Sequence, residues 1–163
     1  MADIVTPEVR SRMMSGIRSK NTKPELQIRR GLHAAGFRFR LHPKKLAGTP
    51  DLVLPKWRAV IFVHGCFWHG HHCHLFRWPS TRSGFWEAKI TRNQQNDVKH
   101  LDELEVAGWR IAVVWECALR GRMKMPIEQA IEALGSWLVS GSPSIELGTP
   151  PNETAYRIFE DHP

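Results

Sequence analysis

Apolar residues recur along this chain at two spacings, one typical of helices and the other of strands. Residues 22–25 read Thr-Lys-Pro-Glu, a helix start in which the threonine can cap the first turn and the glutamate completes a capping box. Ile28, Leu32 and Ala35 follow at helical spacing, and Gly36 ends the segment. The pattern therefore predicts a helix in this part of the chain.

Short apolar runs predict the strands of one sheet. Residues 37–41 alternate as a half-buried strand does, and 51–54 and 59–63 are brief apolar strands on either side of a turn. Residues 109–115 form a longer apolar run typical of a buried strand. A helix is predicted over 84–107, and an amphipathic last helix is indicated by Ile127, Ala130, Ile131, Leu134, Trp137 and Leu138. This order predicts an α/β fold with a central mixed sheet flanked by helices.

Three segments are expected along the chain. Residues 1–23 form a basic N-terminal arm, and residues 24–140 form the folded domain, with an irregular loop at 64–80. Residues 141–163 are expected to be a loose C-terminal tail, because prolines recur there and apolar residues are sparse. A short helix in the arm would either gain order on a partner or dock on the domain's own core; its apolar face would contain Val9, Met13 and Ile17.

Length and charge limit the class of protein. With 163 residues, 42% of them hydrophobic, the chain can form one compact domain without disulfides. No apolar run reaches the roughly 18 residues of a membrane span, and no secretion signal is visible, so we expect a cytoplasmic protein. Residues 1–140 contain 22 basic and 12 acidic residues, a net charge of +10. A nucleic-acid partner is the natural interpretation; a merely soluble basic domain is the alternative.

A cluster of histidines and cysteines indicates a metal site. Five histidines lie between residues 64 and 74, together with Cys66 and Cys73. Zinc takes four thiolate or imidazole ligands in a tetrahedron, so Cys66, His71 and Cys73 can supply three and Cys117 the fourth. His72 or His74 could replace His71, and a histidine-rich loop with incidental thiols is the alternative to any metal. Four protein ligands would make the site structural, because no position stays open for water.

A second cation site is indicated by acidic residues near strand ends. Asp51 begins a short strand and Glu25 lies on the preceding helix, and Mg²⁺ takes such oxygen ligands. The acid-x-Lys triplet usual in restriction-type nucleases is missing, since residues 62–64 read Phe-Val-His. A histidine would have to act as base, and His64 and His69 are the candidates. Alternatively, Glu25 only caps its helix, Asp51 is a turn residue, and Asp97 is an ordinary surface acid.

Three motifs make the chain similar to a known family. They read Arg-Ser-Lys-Asn-Thr-Lys-Pro-Glu at 18–25, His-Gly-Cys-Phe-Trp-His-Gly-His-His-Cys at 64–73 and Trp-Glu-Cys-Ala-Leu-Arg-Gly at 115–121. Together they resemble the very short patch repair (Vsr) endonucleases over about residues 6–138. Members of that family nick duplex DNA on the 5′ side of the T in T:G mismatches that arise by 5-methylcytosine deamination. The resemblance implies a degenerate restriction-endonuclease (PD-(D/E)xK) core with a structural zinc and an N-terminal arm that clamps DNA.

The resemblance also implies roles for individual residues. The zinc ligands would be Cys66, His71, Cys73 and Cys117. Asp51 would bind magnesium, His69 would be the general base, and the supporting active-site residues would be Glu25, His64 and Asp97. The family usually has threonine where this chain has Val63, but the magnesium contact there is the backbone carbonyl, which valine retains.

DNA contacts are implied in the same way. Phe67, Trp68 and Trp86 would insert from the major-groove side, with Met14 of the arm on the minor-groove side. Lys89 and Asn93 would read bases at the mismatch. Phosphate contacts would come from the basic residues of the arm, namely Arg10, Arg12, Arg18, Lys20 and Lys23. For Trp86 and Met14, plain core packing is the alternative.

The resulting prediction is a Mg²⁺-dependent nicking endonuclease with a structural Zn²⁺, acting on double-stranded DNA that contains a T:G mismatch. A related nuclease for another lesion or junction, and a non-catalytic zinc DNA-binding module, are the rival hypotheses. Mismatch-repair proteins and a cytosine methyltransferase are the expected functional partners. We further expect a monomer in the bacterial cytoplasm, associated with the nucleoid.

Overall fold

The computed structural model describes residues 6–9 and 20–150, and in this part of the chain one five-stranded sheet is the centre of the fold. The strands are β1 (Arg40–Leu41), β2 (Leu52–Leu54), β3 (Ala59–His64), β4 (Arg110–Trp115) and β5 (Ser144–Leu147). The helices are α1 (Lys23–Ala34), α2 (Ser83–Val106), α3 (Glu116–Leu119) and α4 (Ile127–Ser140), with a short 3-10 helix at Pro55–Trp57.

The sheet is mixed, as predicted, with its strands in sequence order. β1, β2 and β3 are antiparallel neighbours joined by short connections, whereas β3, β4 and β5 run parallel. Parallel neighbours require a crossover, and α2 supplies it between β3 and β4. The aligned carboxyl ends of β3 and β4 bring His64 level with Trp115. Residues that follow these two strands are therefore close in space.

The two faces of the sheet bury different helices. Successive side chains of a strand point to opposite faces, so Ile61 packs in the cluster that contains α1 and α4, while Val60 and Phe62 pack against the α2 side. On the first face α1 and α4 approach so closely that a Cβ at Gly31 would lie 2.4 Å from Ile131. Leu104 of α2 is 1% exposed on the second face.

Most predicted elements are confirmed, with two differences. The strand predicted over 37–41 is restricted to Arg40–Leu41, because Phe37 and Phe39 pack on the core outside the ladder. The loose tail predicted from residue 141 is wrong for residues 144–147, which form β5 parallel to β4. This strand has only four residues and lies between Pro143 and Pro150, so the alternation of Ile145 and Leu147 with polar residues did not reveal it. Residues 151–163 lie outside the described residues.

Among the described residues, no helix has the length and apolar character needed to cross a membrane.

Candidate active site and metal centres

Glu25, His42 and Asp51 form a first cluster at the start of β2. The Nε2 atom of His42 lies 2.7 Å from Oε1 of Glu25 and 3.9 Å from Oδ1 of Asp51. One carboxylate oxygen of each acid is held by a backbone N–H: Asn21 donates to Oε2 of Glu25 at 2.8 Å, and Val63 donates to Oδ2 of Asp51 at 2.7 Å. The two remaining oxygens therefore converge on one imidazole nitrogen.

Burial sets the electrostatics of this cluster. Glu25 is 1% exposed, although it lies in the first turn of α1, where the Thr22 side chain accepts a hydrogen bond from its backbone N–H. The pKa of Asp51 is raised to about 6, mainly by desolvation and to a smaller extent by the charge of Glu25. The hydrogen bond from Val63 acts in the opposite direction. A bound cation would favour the ionised carboxylates that burial disfavours, so these residues fit a divalent metal ion.

His64, His69 and Asp97 form a second cluster. Nδ1 of His69 lies 2.6 Å from Oδ2 of Asp97. A carboxylate accepts hydrogen bonds, so Nδ1 carries the proton and Nε2 is left as an acceptor. The His64 ring stacks on His69 with centroids 3.8 Å apart and planes 5° apart. Burial lowers the pKa of His64 to about 3, so that its ring is neutral at physiological pH.

The two clusters face the same region of the molecule. The backbone N–H of Val63 holds Asp51, and the next residue, His64, stacks its ring on His69. A cavity of about 270 Å³ adjoins the second cluster and is lined by His64, His69, Asp97 and Asn93, among others. Acidic residues that could hold a cation thus lie near a histidine whose Nδ1 is held by a carboxylate.

Three contacts with α2 hold the loop that contains His69. Asn93 donates to the carbonyl of Trp68 at 2.8 Å, and Gln94 donates to the carbonyl of Gly70 at 3.3 Å. The His69–Asp97 pair is the third contact. Residues three and four apart lie on one face of a helix, so a single face of α2 aligns this part of the loop.

A third cluster contains Cys66, His71, Cys73 and Cys117. Their donor atoms all lie within 4.8 Å of one another, and none of the three cysteines forms a disulfide. Hydrogen bonding between the two thiols raises the pKa of Cys66 and lowers the pKa of Cys117. Three thiols and one imidazole fit a tetrahedral zinc ion.

Contacts around the third cluster select its histidine. Nδ1 of His71 lies 3.5 Å from Sγ of Cys117, and its ring stacks on Trp115 with centroids 4.4 Å apart. The backbone N–H of Thr149 donates to Sγ of Cys117 at 3.3 Å. His72 instead stacks on Phe76. Of the three histidines that the spacing left open, His71 is the one in the donor set.

Phe67, Trp68 and Trp86 pack together beside the histidine pair. Their ring centroids are 5.1 to 5.9 Å apart in edge-to-face contacts. Nζ of Lys89 lies 5.4 Å from the Trp68 ring and 5.6 Å from the Trp86 ring. All three aromatic rings are half-buried, and Trp86 packs on this cluster rather than in the sheet core. The rings of this aromatic cluster are therefore partly accessible to a binding partner.

The basic arm is described only in part. Lys20 and Lys23 are exposed at the start of α1. Met14, Arg10, Arg12 and Arg18 lie outside the described residues.

Sequence reasoning missed His42 as a site residue. The register of β1 and β2 pairs Leu41 with Leu52, which places residue 42 opposite Asp51. The N–H of His42 also donates to the carbonyl of Asp51 at 3.2 Å. Pairing residues 37–41 with 51–54 as a hairpin would have revealed this neighbour from the sequence.

Comparison with known proteins gives a consistent result. The family model described as DNA mismatch endonuclease Vsr matches residues 2–75. Type II nicking enzyme V.XorIIP of Xanthomonas oryzae pv. oryzae is 50% identical over 119 residues, which cover 73% of this chain and 88% of that protein. DNA mismatch endonuclease Vsr of Escherichia coli K12 is 42% identical over 149 residues, 91% of this chain and 96% of that protein. Type II nicking enzyme V.NmeAIP of Neisseria meningitidis is 46% identical over 122 residues, 75% and 87% of the two chains.

Proposed function

This chain belongs to the family of the DNA mismatch endonuclease Vsr, and on that premise we propose that it nicks one strand of duplex DNA on the 5′ side of the T in a T:G mismatch. The observation that supports the proposal is geometric: Asp51 accepts a hydrogen bond from the Val63 N–H, and the adjacent His64 stacks on a His69 imidazole whose Nδ1 is held by Asp97. The fold is then a restriction-endonuclease core in which histidine replaces the missing acid-x-Lys triplet.

The proposed chemistry is hydrolysis of one phosphodiester bond. Nε2 of His69 takes a proton from a water molecule while the water oxygen bonds to phosphorus. The bond from phosphorus to the 3′ oxygen breaks, and this oxygen takes up a proton from solvent. The products are a 5′-phosphate and a 3′-hydroxyl. Asp97 keeps the imidazole in the required tautomer, and the stacked neutral His64 limits rotation of the ring.

Two metal ions belong to the proposal. Asp51 and the backbone carbonyl of Val63, supported by Glu25, would hold Mg²⁺, which supplies stabilisation of the charge that develops on the phosphoryl oxygens. Cys66, His71, Cys73 and Cys117 would hold a structural Zn²⁺. The zinc site would fix the start of the 64–80 loop to α3, so that Phe67, Trp68 and His69 are presented by a rigid segment.

Mismatch recognition is assigned to the aromatic cluster. A T:G pair stacks less well than a normal pair, so separating it from its neighbour costs less than the few kcal/mol typical of base unstacking. Phe67, Trp68 and Trp86 form a wedge that inserts beside such a pair. Lys89 would read a base from its position over the rings. Asn93 donates one amide hydrogen to the Trp68 carbonyl. Its contact with a base would therefore use the second amide hydrogen or the amide oxygen.

The arm completes the proposed DNA interface. Arg10, Arg12, Arg18, Lys20 and Lys23 would contact phosphates, and Met14 would reach the minor groove opposite the wedge. The affinity of the protein for DNA would then fall steeply as the salt concentration rises. We propose that the protein acts as a monomer in the bacterial cytoplasm at the nucleoid, in a pathway with a cytosine methyltransferase and mismatch-repair proteins.

The direct test is cleavage of a labelled duplex with one T:G pair, with Mg²⁺ present. We expect one nick on the T strand, no nick in the matched T:A duplex, and loss of cleavage in both Asp51→Ala and His69→Ala. Equal cleavage of matched DNA would contradict mismatch specificity, and full activity of Asp51→Ala would contradict the metal role. Binding without cleavage under every divalent ion would indicate a non-catalytic module. A panel of other mismatches and branched junctions would reveal a related nuclease with another substrate.

A further inference from the structure

We propose that His42 is itself a ligand of the catalytic cation, which makes the site of this chain a mixed nitrogen and oxygen site with higher affinity for Mn²⁺ than for Mg²⁺. The inference rests on the proposed function, because it concerns the same cation. It adds a protein nitrogen to a site whose other expected ligands are oxygen atoms.

The geometry of the donor atoms supports this assignment. Nε2 of His42 and one carboxylate oxygen each of Glu25 and Asp51 all lie within 4.8 Å of one another. Ligands of one octahedral ion with bonds of about 2.1 Å are roughly 3 Å apart when adjacent and roughly 4 Å apart when opposite. Nε2 lies 3.9 Å from Asp51 and 2.7 Å from Glu25; the shorter contact is a hydrogen bond without the ion and would lengthen by about 0.3 Å to reach the adjacent-ligand spacing.

The second oxygen of each carboxylate is already occupied. Oε2 of Glu25 accepts from the backbone of Asn21, and Oδ2 of Asp51 accepts from the backbone of Val63. These hydrogen bonds orient the other two oxygens toward His42. Arg29 lies 3.6 Å from Oε1 of Glu25 and is the competing cation, but its side chain is more exposed than the ring of His42, at 22% against 14%.

The backbone also holds the ring of His42 in place. Its φ is 46°, in the left-handed region that few non-glycine residues adopt. The N–H of His42 donates to the carbonyl of Asp51, and Pro43 follows directly. Residue 42 is therefore held opposite Asp51 at the end of the β1–β2 pair. In the tautomer with the proton on Nδ1, Nε2, which lies 2.7 Å from Glu25 and 3.9 Å from Asp51, is available to bind a cation.

The chemistry of the donors predicts the selectivity. Mg²⁺ prefers oxygen ligands and water, whereas imidazole is a better ligand for transition metals. Mn²⁺ accepts carboxylate and imidazole together, and it competes weakly for the thiolates of the zinc cluster. Mn²⁺ therefore gains more than Mg²⁺ from the nitrogen of His42, whereas Co²⁺ and Ni²⁺ would gain more still but would also compete for the thiolates.

The test uses full-length protein loaded with zinc and titrated with Mn²⁺. Pulsed electron paramagnetic resonance of bound Mn²⁺ detects the ¹⁴N nucleus of a coordinating imidazole directly, without DNA or cleavage. The variants are His42→Gln, which keeps a polar side chain beside Glu25, and His33→Gln, an exposed histidine of the same helix as Glu25, as the matched control.

We expect ¹⁴N coupling in the wild type and in His33→Gln, its loss in His42→Gln, and Mn²⁺ affinity about tenfold lower in that variant. Mg²⁺ affinity, measured by displacement of Mn²⁺, should change much less. Absence of ¹⁴N coupling in the wild type, or its persistence in His42→Gln, would overturn the proposal. A wild-type protein that shows the coupling but fails to nick T:G duplexes would instead refute the proposed function and leave this inference standing.

Discussion

His69 and Asp97 are joined by a 2.6 Å hydrogen bond that links the loop after β3 to the middle of α2, across 28 residues of sequence. The same face of α2 donates hydrogen bonds from Asn93 and Gln94 to loop carbonyls. Helix α2 therefore fixes the loop at His69, whose orientation is essential for the proposed reaction. Removing the charge of Asp97 should affect the reaction far more than the fold.

Asp97→Asn should lower the rate of T:G nicking about 100-fold or more, because an amide no longer fixes the proton on Nδ1 and the general-base contribution is about 10²- to 10⁴-fold. The measurement is single-turnover cleavage of the labelled duplex. Asp102→Asn, an exposed acid further along α2, is the control and should cleave at the wild-type rate. A wild-type rate in Asp97→Asn would exclude His69 as an Asp97-oriented base.

Asp51→Asn should stabilise the protein in magnesium-free buffer near pH 7.5. Burial raises the pKa of Asp51 from its ordinary value of 3.8 to about 6. Ionisation of this carboxyl group therefore destabilises the folded state at every pH above about 4. One pKa unit corresponds to about 1.4 kcal/mol, which gives a gain of up to about 3 kcal/mol above pH 6. The gain should shrink as pH falls from 6 and vanish below pH 4.

Urea denaturation at pH 7.5 and pH 4, with zinc retained, measures this difference. Added Mg²⁺ should stabilise the wild type but not Asp51→Asn, because a ligand that binds only the folded state raises its stability. A variant that is less stable than the wild type at pH 7.5 would show that the Asp51 carboxylate is ionised at no energetic cost.

Cys117→Ser and His71→Gln should each lower the zinc content below one ion per chain and destabilise the domain by several kcal/mol, since zinc binding is coupled to folding. His72→Gln is the control and should retain its zinc, because His72 lies outside the donor set. Atomic emission spectroscopy of purified protein, with thermal unfolding, checks both effects. Loss of zinc in His72→Gln alone would reassign the histidine ligand.

Trp68→Ala should weaken binding of the T:G duplex about 5- to 150-fold, since base-aromatic stacking contributes about 1 to 3 kcal/mol. Binding to matched duplex should change much less, because phosphate contacts dominate there. Fluorescence of 2-aminopurine next to the mismatch reports the unstacking directly. The control is Met123→Ala, which truncates an exposed apolar side chain that is distant in sequence from Trp68. An equal loss of affinity for both duplexes would mean that Trp68 does not discriminate the mismatch.

Local signals explain what was predictable. The helix start at Thr22 follows from a threonine cap, a proline in the first turn and Glu25 three residues after the cap, and α1 begins at Lys23 as expected. Strands β2, β3 and β4 follow from short apolar runs. The donor set of the third cluster was also foreseeable, because three of its members lie within eight residues.

Contacts between distant segments were less predictable. Glu25 was expected to complete a capping box, yet its side chain is buried between Asn21 and His42, where its second oxygen lies 2.7 Å from the imidazole of His42. Strand β5 was missed because it has only four residues in a stretch rich in proline and glycine, and it gains its order from pairing with β4. The hydrogen bond from Thr149 to Cys117 depends on that pairing.

The amino-acid sequence by itself determined the helices, the central strands and the residue types that can bind metal, because capping, periodicity and donor chemistry act over a few residues. Only the tertiary structure decided that His42 lies beside Asp51, that Asp97 orients His69, and that His71 rather than His72 joins the three cysteines. Those outcomes depend on strand register and on the packing of α2, which are set by the burial of side chains far apart in the chain.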